Sequence, residues 1–151
     1  MNSVSVTTIL AILAGASIAL QSALNSHLAV VLKNSLMATT IAFMFSALFT
    51  LLALLLLKNQ TISLTTIESV PFYLWFTGAL FSAFAVSVFF YLAPKIGIGP
   101  LMSYALSGQI VMAIIISHFG WFDLPVKPMS LTKIVGVIVL IIGVLLINTE
   151  P

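Results

Sequence analysis

Three polar side chains in the first apolar stretch have the types and the spacing to line a hydrophilic path through a membrane. Ser17, Gln21 and Asn25 recur every four residues among apolar neighbours. At about 100° per residue they fall on one face of a helix. Amide side chains are costly in a bilayer, so they usually face protein or a water-filled cavity. The pattern therefore predicts either a substrate pathway or hydrogen bonds that hold neighbouring helices together.

The same stretch has two further faces. Gly15, Ala19, Ser22 and Ser26 form a face of small residues, and small residues let a second helix approach closely. The remaining face carries leucine and isoleucine, as expected against lipid. A helix that only anchors a chain needs the last face alone. The three faces together suit the lining of a transport pathway, while hydrogen bonds between helices remain the alternative for the amides.

A second apolar stretch, further along the chain, also carries polar side chains. Ser103, Tyr104 and Ser107 share a broad helix face, and Gln109 points roughly opposite. We assign all four to the predicted substrate pathway, together with the three polar residues of the first stretch.

The composition indicates an integral membrane protein. Of the 151 residues, 62% are hydrophobic and only 5% are charged, and the mean hydropathy is +1.29. A soluble domain carries far more charge. Cysteine is absent, and the five basic residues are lysines scattered through loops. These features predict no disulfide, no thiolate metal site and no nucleic-acid binding.

The elements that must position the polar residues are membrane-spanning helices, at about 20 apolar residues each. We predict an all-α fold with five transmembrane helices in one transmembrane domain, residues 1–151. The spans cover residues 4–28, 35–57, 71–93, 99–119 and 131–148. Pro71 suits the first turn of the third span, and Pro94 is expected to end it. An odd number of spans would put the two ends of the domain on opposite sides of the membrane.

Small residues on the spans predict where helices pack closely. Gly136 and Gly143, for example, lie seven apart on one stripe of the fifth span. The predicted packing positions are Gly15, Gly78, Ser82, Gly108, Gly136 and Gly143.

Groups that could catalyse a reaction or carry a proton are scarce. Glu68 and Asp123 fall in predicted loops and Glu150 at the end of the sequence. The motifs of metalloproteases, serine hydrolases and P-loop enzymes are missing. His27 and His118, near span ends, are the side chains that titrate near neutral pH. We therefore predict no enzymatic activity, no metal and no other cofactor, and proton exchange through a membrane carboxylate is disfavoured.

The lysines leave the membrane orientation almost undecided. Lys58, Lys127 and Lys133 fall on the N-terminal side, and Lys33 and Lys95 on the other. The positive-inside rule depends on such residues in short loops. One alternative is a cytoplasmic N-terminus in every copy. The other is dual topology, in which copies insert both ways up and pair antiparallel.

Three stretches carry a family resemblance, namely AGASIALQSALNSHL, GPLMSYALSGQIVMAIIISHFGWFDLPVKP and LTKIVGVIVLIIGVLLI. The chain resembles the YdcZ-type branch of the drug/metabolite transporter (DMT) superfamily, whose members are bacterial five-helix proteins of about this length. The most telling features are Gln21, Asn25, the Ser107-Gly108-Gln109 group, the His118-Phe119-Gly120 turn, Pro128, and Lys133 ahead of Gly136. The family often has an acid just before the His-Phe-Gly turn. Ser117 stands there in this chain, which puts any ion-binding role of that acid in doubt.

The resemblance implies half of a ten-helix DMT-type transporter in the bacterial inner membrane. Small multidrug resistance proteins are similar four-helix units that work as antiparallel dimers. Their essential first-helix glutamate has no counterpart in this chain, where Gln21 is the nearest residue in character and is neutral. The expected function is export of a small-molecule substrate by a dimer through alternating access. The expected partners are the lipid bilayer and either a second copy, antiparallel, or a paralogue. The alternative is a non-transporting subunit that packs against a larger partner.

Overall fold

The computed structural model describes residues 3–57 and 63–149, which form helices and their links and contain no strand. The α-helices are α1 Ser3–Leu32, α2 Ser35–Leu56, α3 Leu64–Ser69, α4 Thr77–Ile96, α5 Ile98–Phe119 and α6 Leu131–Ile147. Two short 3₁₀ turns, Phe72–Trp75 and Trp121–Asp123, precede α4 and follow α5.

Four helical stretches are long and apolar enough to cross a bilayer. They are Val6–Leu32, Ser35–Leu56, Phe72–Ile96 and Ile98–Phe119. The fifth apolar helix, α6, has 17 residues and is therefore about 26 Å long, close to the lower limit for a membrane span. The predicted all-α membrane fold is confirmed, with four full-length helices and a shorter fifth.

Several helix ends differ from the predicted bounds. α1 continues to Leu32 instead of ending at residue 28. α4 contains Pro94 and ends at Ile96, so Pro94 does not stop the third span as predicted. A proline removes one backbone hydrogen bond and crowds the preceding turn, yet the helix continues for two residues beyond Pro94. The next residue, Gly97, has a left-handed φ of 84°. Pro71 precedes the 3₁₀ turn rather than lying in α4.

The chain divides into two compact units, Met1–Lys95 and Ile96–Pro151. In the first unit, Ala29 of α1, Ala38 of α2 and Phe90 of α4 form a buried apolar cluster. Ser87 Oγ donates to Thr39 Oγ1 at 3.2 Å and joins α4 to α2. In the second unit, α5 packs against α6.

The link between α5 and α6 is fixed by backbone and side-chain hydrogen bonds. The N–H of Lys127 donates to the Ser117 carbonyl at 2.8 Å, and the N–H of Met129 donates to His118 Nδ1 at 3.0 Å. Lys133 Nζ donates to the carbonyls of Lys127 and Pro128 at 3.1 and 2.8 Å. Lys133 therefore anchors this link.

Candidate substrate pathway

The polar face of α1 remains open in the single chain. Gln21 is exposed and Asn25 is half-buried. Neither amide side chain has a hydrogen-bond partner within residues 3–57 and 63–149. Ser17, also exposed, donates from Oγ to the Leu13 carbonyl at 2.9 Å. The two amides thus retain their full capacity to donate and accept hydrogen bonds.

The small-residue face of the same helix is partly buried. Ser22 and Ser26 are 2% and 4% exposed, and α1 packs against α2. The Ser26 hydroxyl donates to the Ser22 carbonyl, so its burial leaves no unsatisfied donor. Nearer the start of the helix, a Cβ added at Gly15 would meet no atom within 4 Å. The half of α1 that packs is therefore the half nearer Leu32.

The predicted pathway residues of α5 differ in how their hydrogen bonds are satisfied. Ser103 Oγ donates to the Pro100 carbonyl at 2.8 Å, and Ser107 Oγ donates to the Ser103 carbonyl at 3.0 Å. Tyr104 is 50% exposed. Gln109 is exposed, and its side chain has no hydrogen-bond partner in the described part of the chain.

Asn148, at the end of α6, is a polar contact that the sequence analysis missed. Its Nδ2 donates to Ser103 Oγ at 2.8 Å and to the Val144 carbonyl at 2.6 Å. These two acceptors fix the orientation of the amide, because the opposite orientation would place Oδ1 against a carbonyl oxygen. Oδ1 is buried and, among the described residues, has no donor. The sequence feature that could have predicted this contact is that Asn148 is the one amide residue in the fifth predicted span.

The predicted pathway residues belong to the two different units. Ser17, Gln21 and Asn25 share one face of α1 in the first unit. In the second unit, Ser103 lies beside Asn148, and Tyr104, Ser107 and Gln109 lie along α5. A common pathway formed by both sets remains a prediction.

The predicted packing glycines have no close neighbour among residues 3–57 and 63–149. A Cβ added at five of them would meet no described atom within 4 Å, these being Gly15, Gly78, Gly108, Gly136 and Gly143. Ser82, the sixth predicted packing position, is exposed. Close helix packing at these positions remains a prediction.

The described residues offer little to a metal or a charged cofactor. Within residues 3–57 and 63–149, no three His, Asp or Glu side chains cluster as a metal site requires. A cavity of about 270 Å³ beside α5 and α6 is lined mostly by apolar side chains, Val111 and Ile134 among them, and also by Lys133.

The long apolar helices and the low charge define a multi-pass membrane protein. Residues 6–146 match the family described as "Putative inner membrane exporter, YdcZ", and the chain belongs to this family. The predicted resemblance to the YdcZ-type family is thus confirmed, and with it a multi-pass location in the bacterial inner membrane. The family is one of membrane transporters rather than enzymes. No curated protein and no solved structure matches the chain significantly.

Proposed function

We propose that the protein exports a small molecule as a dimer of five-helix units, by alternating access. The proposed pathway is lined by Ser17, Gln21 and Asn25 of α1 and by Ser103, Tyr104, Ser107 and Gln109 of α5. Asn148 joins this set because its side chain contacts Ser103.

The observation that carries the proposal is the pair of unpartnered amides on α1. Amides that hold the helices of this chain together would bond to those helices, and in its described part Gln21 and Asn25 do not. Facing lipid, an unpaired amide loses about 2–7 kcal/mol relative to water. A water-filled path removes that cost and provides groups that can bind a polar substrate.

Two features support a dimer. The glycines of α6 are open, as an intermolecular helix contact would require. A single chain with five membrane helices, one of them only about 26 Å long, is also small for a bundle that encloses a pathway. Inverted repeats around a central site are a common transporter plan. One five-helix chain can adopt that plan by inserting in both orientations, which the near-even lysine distribution permits.

The open glycines equally fit the alternative, a subunit that packs against a larger partner without transporting anything. The amides distinguish the two functions, because packing needs the glycines but not Gln21 and Asn25.

The test is flux into proteoliposomes that contain the purified chain, with a panel of guanidinium, amine and amino-acid substrates. We expect transport of at least one class by the wild type, and its loss in the Gln21→Leu, Asn25→Leu double variant at equal protein insertion. Thr40→Val is a matched control, because the Thr40 hydroxyl donates to the Leu36 carbonyl of its own helix, and its flux should be unchanged. Full flux by the double variant would refute the pathway, and a wild type that moves none of the panel would favour the packing subunit.

A further inference from the structure

We propose that the first unit binds one anionic phospholipid, with the phosphate between Lys33 and Lys95 and an acyl chain along α4. This inference is independent of the transport pathway proposed above. It rests on two adjoining grooves of the unit Met1–Lys95, one basic and one apolar.

The basic groove has a volume of about 420 Å³ and lies where α1 ends, α2 begins and α4 ends. Its charged lining residues are Lys33 and Lys95, with no carboxylate among the residues that line it. Lys95 Nζ lies 3.6 Å from the centroid of the Tyr91 ring, a cation–π contact that holds the ammonium at this groove. Two cations without an acid favour an anionic ligand.

Backbone groups at the start of α2 add to the attraction. The side chain and the carbonyl of Asn34 accept the N–H groups of Met37 and Ala38. The N–H groups of Ser35 and Leu36, which precede them, have no acceptor among the described residues. Unpaired N–H groups at a helix N-terminus favour an anion, here beside the two lysines.

The apolar groove has a volume of about 440 Å³ and is lined by Leu80, Phe84 and Val88 of α4, among others. Ser35, Leu36 and Tyr91 line both grooves, so the two grooves adjoin. From Tyr91 to Leu80, α4 rises about 16 Å, which is roughly half of the hydrocarbon core of a bilayer. The apolar groove therefore has the length of one leaflet.

A phospholipid fits this pair of grooves better than a second copy of the chain. The only carboxylate side chains of a copy are Glu68, Asp123 and Glu150, none of them within a predicted span. A copy's helix in the apolar groove would thus bring no negative side chain to Lys33 and Lys95 from its spans. An anionic phospholipid has a negative group at interface depth joined to an apolar chain, and basic pockets between membrane helices bind such headgroups.

The test measures lipid affinity of the purified full chain by native mass spectrometry. Phosphatidylglycerol is compared with phosphatidylcholine of identical acyl chains. We expect tighter binding of phosphatidylglycerol, and about a 30-fold loss of that affinity in the Lys33→Gln, Lys95→Gln double variant. Lys127→Gln is the matched control, because it removes a positive charge outside both grooves, and it should retain wild-type affinity.

The acyl chain is tested separately. Glycerol phosphate and short-chain phosphatidylglycerol should bind more weakly than the long-chain lipid, and this comparison needs no variant. Ala83→Phe, which fills the apolar groove, should weaken long-chain lipid binding alone.

Four results would overturn the proposal. Equal affinity for the two headgroups, or an equal loss of affinity in Lys127→Gln, would show that the lysine pair does not select the lipid. Glycerol phosphate bound as tightly as the lipid would indicate a free-anion site. Conversion of a lipid-free dimer to monomer by Ala83→Phe would show that a second copy fills the groove.

Discussion

Cysteines placed at Gly136 and Gly143 can measure how two copies pair, because the chain has no cysteine of its own. Both positions are open, since an added Cβ would meet nothing within 4 Å in the described structure. They lie on one stripe of α6, and their midpoint falls within one residue of the centre of Leu131–Ile147. This symmetry means that antiparallel and parallel pairs bring different positions together.

The expected separations follow from the helical rise of about 1.5 Å per residue. Gly136 lies about 4.5 Å to one side of the helix centre and Gly143 about 6 Å to the other. In an antiparallel pair with aligned centres, Gly136 faces the partner's Gly143 with an axial offset of about 1.5 Å, and two Gly136 residues are about 9 Å apart. In a parallel pair, identical residues are level and the mixed pair is offset by about 10.5 Å.

These separations decide which disulfide can form, because the two Cα atoms must be about 4.4–6.8 Å apart. We would co-express two differently tagged chains, Gly136→Cys and Gly143→Cys, oxidise the membranes and separate the products by size. The antiparallel dimer predicts mostly the mixed disulfide. Ile138→Cys, exposed and about 200° around the helix from Gly136, is the control and should form no disulfide. Identical-residue disulfides without the mixed product would refute antiparallel pairing, and the absence of any disulfide would refute α6 as the contact.

Three further expectations concern orientation, coupling and stability. A reporter at the C-terminus should be detected on both sides of the membrane. One lysine added after Asn148 should increase the share of the reporter on the cytoplasmic side. Detection of the wild-type reporter on one side only, without a partner gene, would exclude the antiparallel homodimer. A saturating substrate in weak buffer should release no protons, and stoichiometric release that disappears in His27→Gln would contradict this. Gly120→Ala should lower the melting temperature, because the new Cβ would lie 2.6 Å from Val126 Cγ2 and the φ of residue 120 is 63°. The left-handed backbone alone should cost about 1–2 kcal/mol of folding free energy. Gly99→Ala, with nothing within 4 Å, is the control, and equal melting temperatures would contradict the strain.

Much of the fold could be predicted from the sequence because a bilayer dictates it. Backbone groups in lipid must bond within a helix, so long apolar stretches correspond to helices. The start of α2 could also be predicted, because asparagine is one of the residues preferred at the N-cap of a helix, and Asn34 takes that position. The end of α4 could not be predicted from Pro94, because a proline near a helix end costs only a local hydrogen bond, and the helix continues to Ile96.

The polar contacts were less predictable. The faces of α1 follow from helical periodicity, so the open Gln21 and the buried Ser22 could be assigned to different faces from spacing. The contact of Asn148 with Ser103 joins residues 45 apart and depends on how α5 and α6 pack. The two carbonyl acceptors of Lys133, those of Lys127 and Pro128, depend on how the link between α5 and α6 folds and could not be predicted from its position in the sequence.

The stability of the Gln21→Leu, Asn25→Leu variant separates the two interpretations of the amides. If the amides bonded to neighbouring helices, each replacement would lose an interaction of about 0.6 kcal/mol, and the protein would become less stable. If they line a water-filled path and bond to no neighbouring helix, the replacements break no bond between helices, so the stability should stay close to that of the wild type while transport is lost. A variant that is both less stable and fully active would contradict the pathway on both counts. Loss of transport with stability retained is the result that packing alone cannot produce.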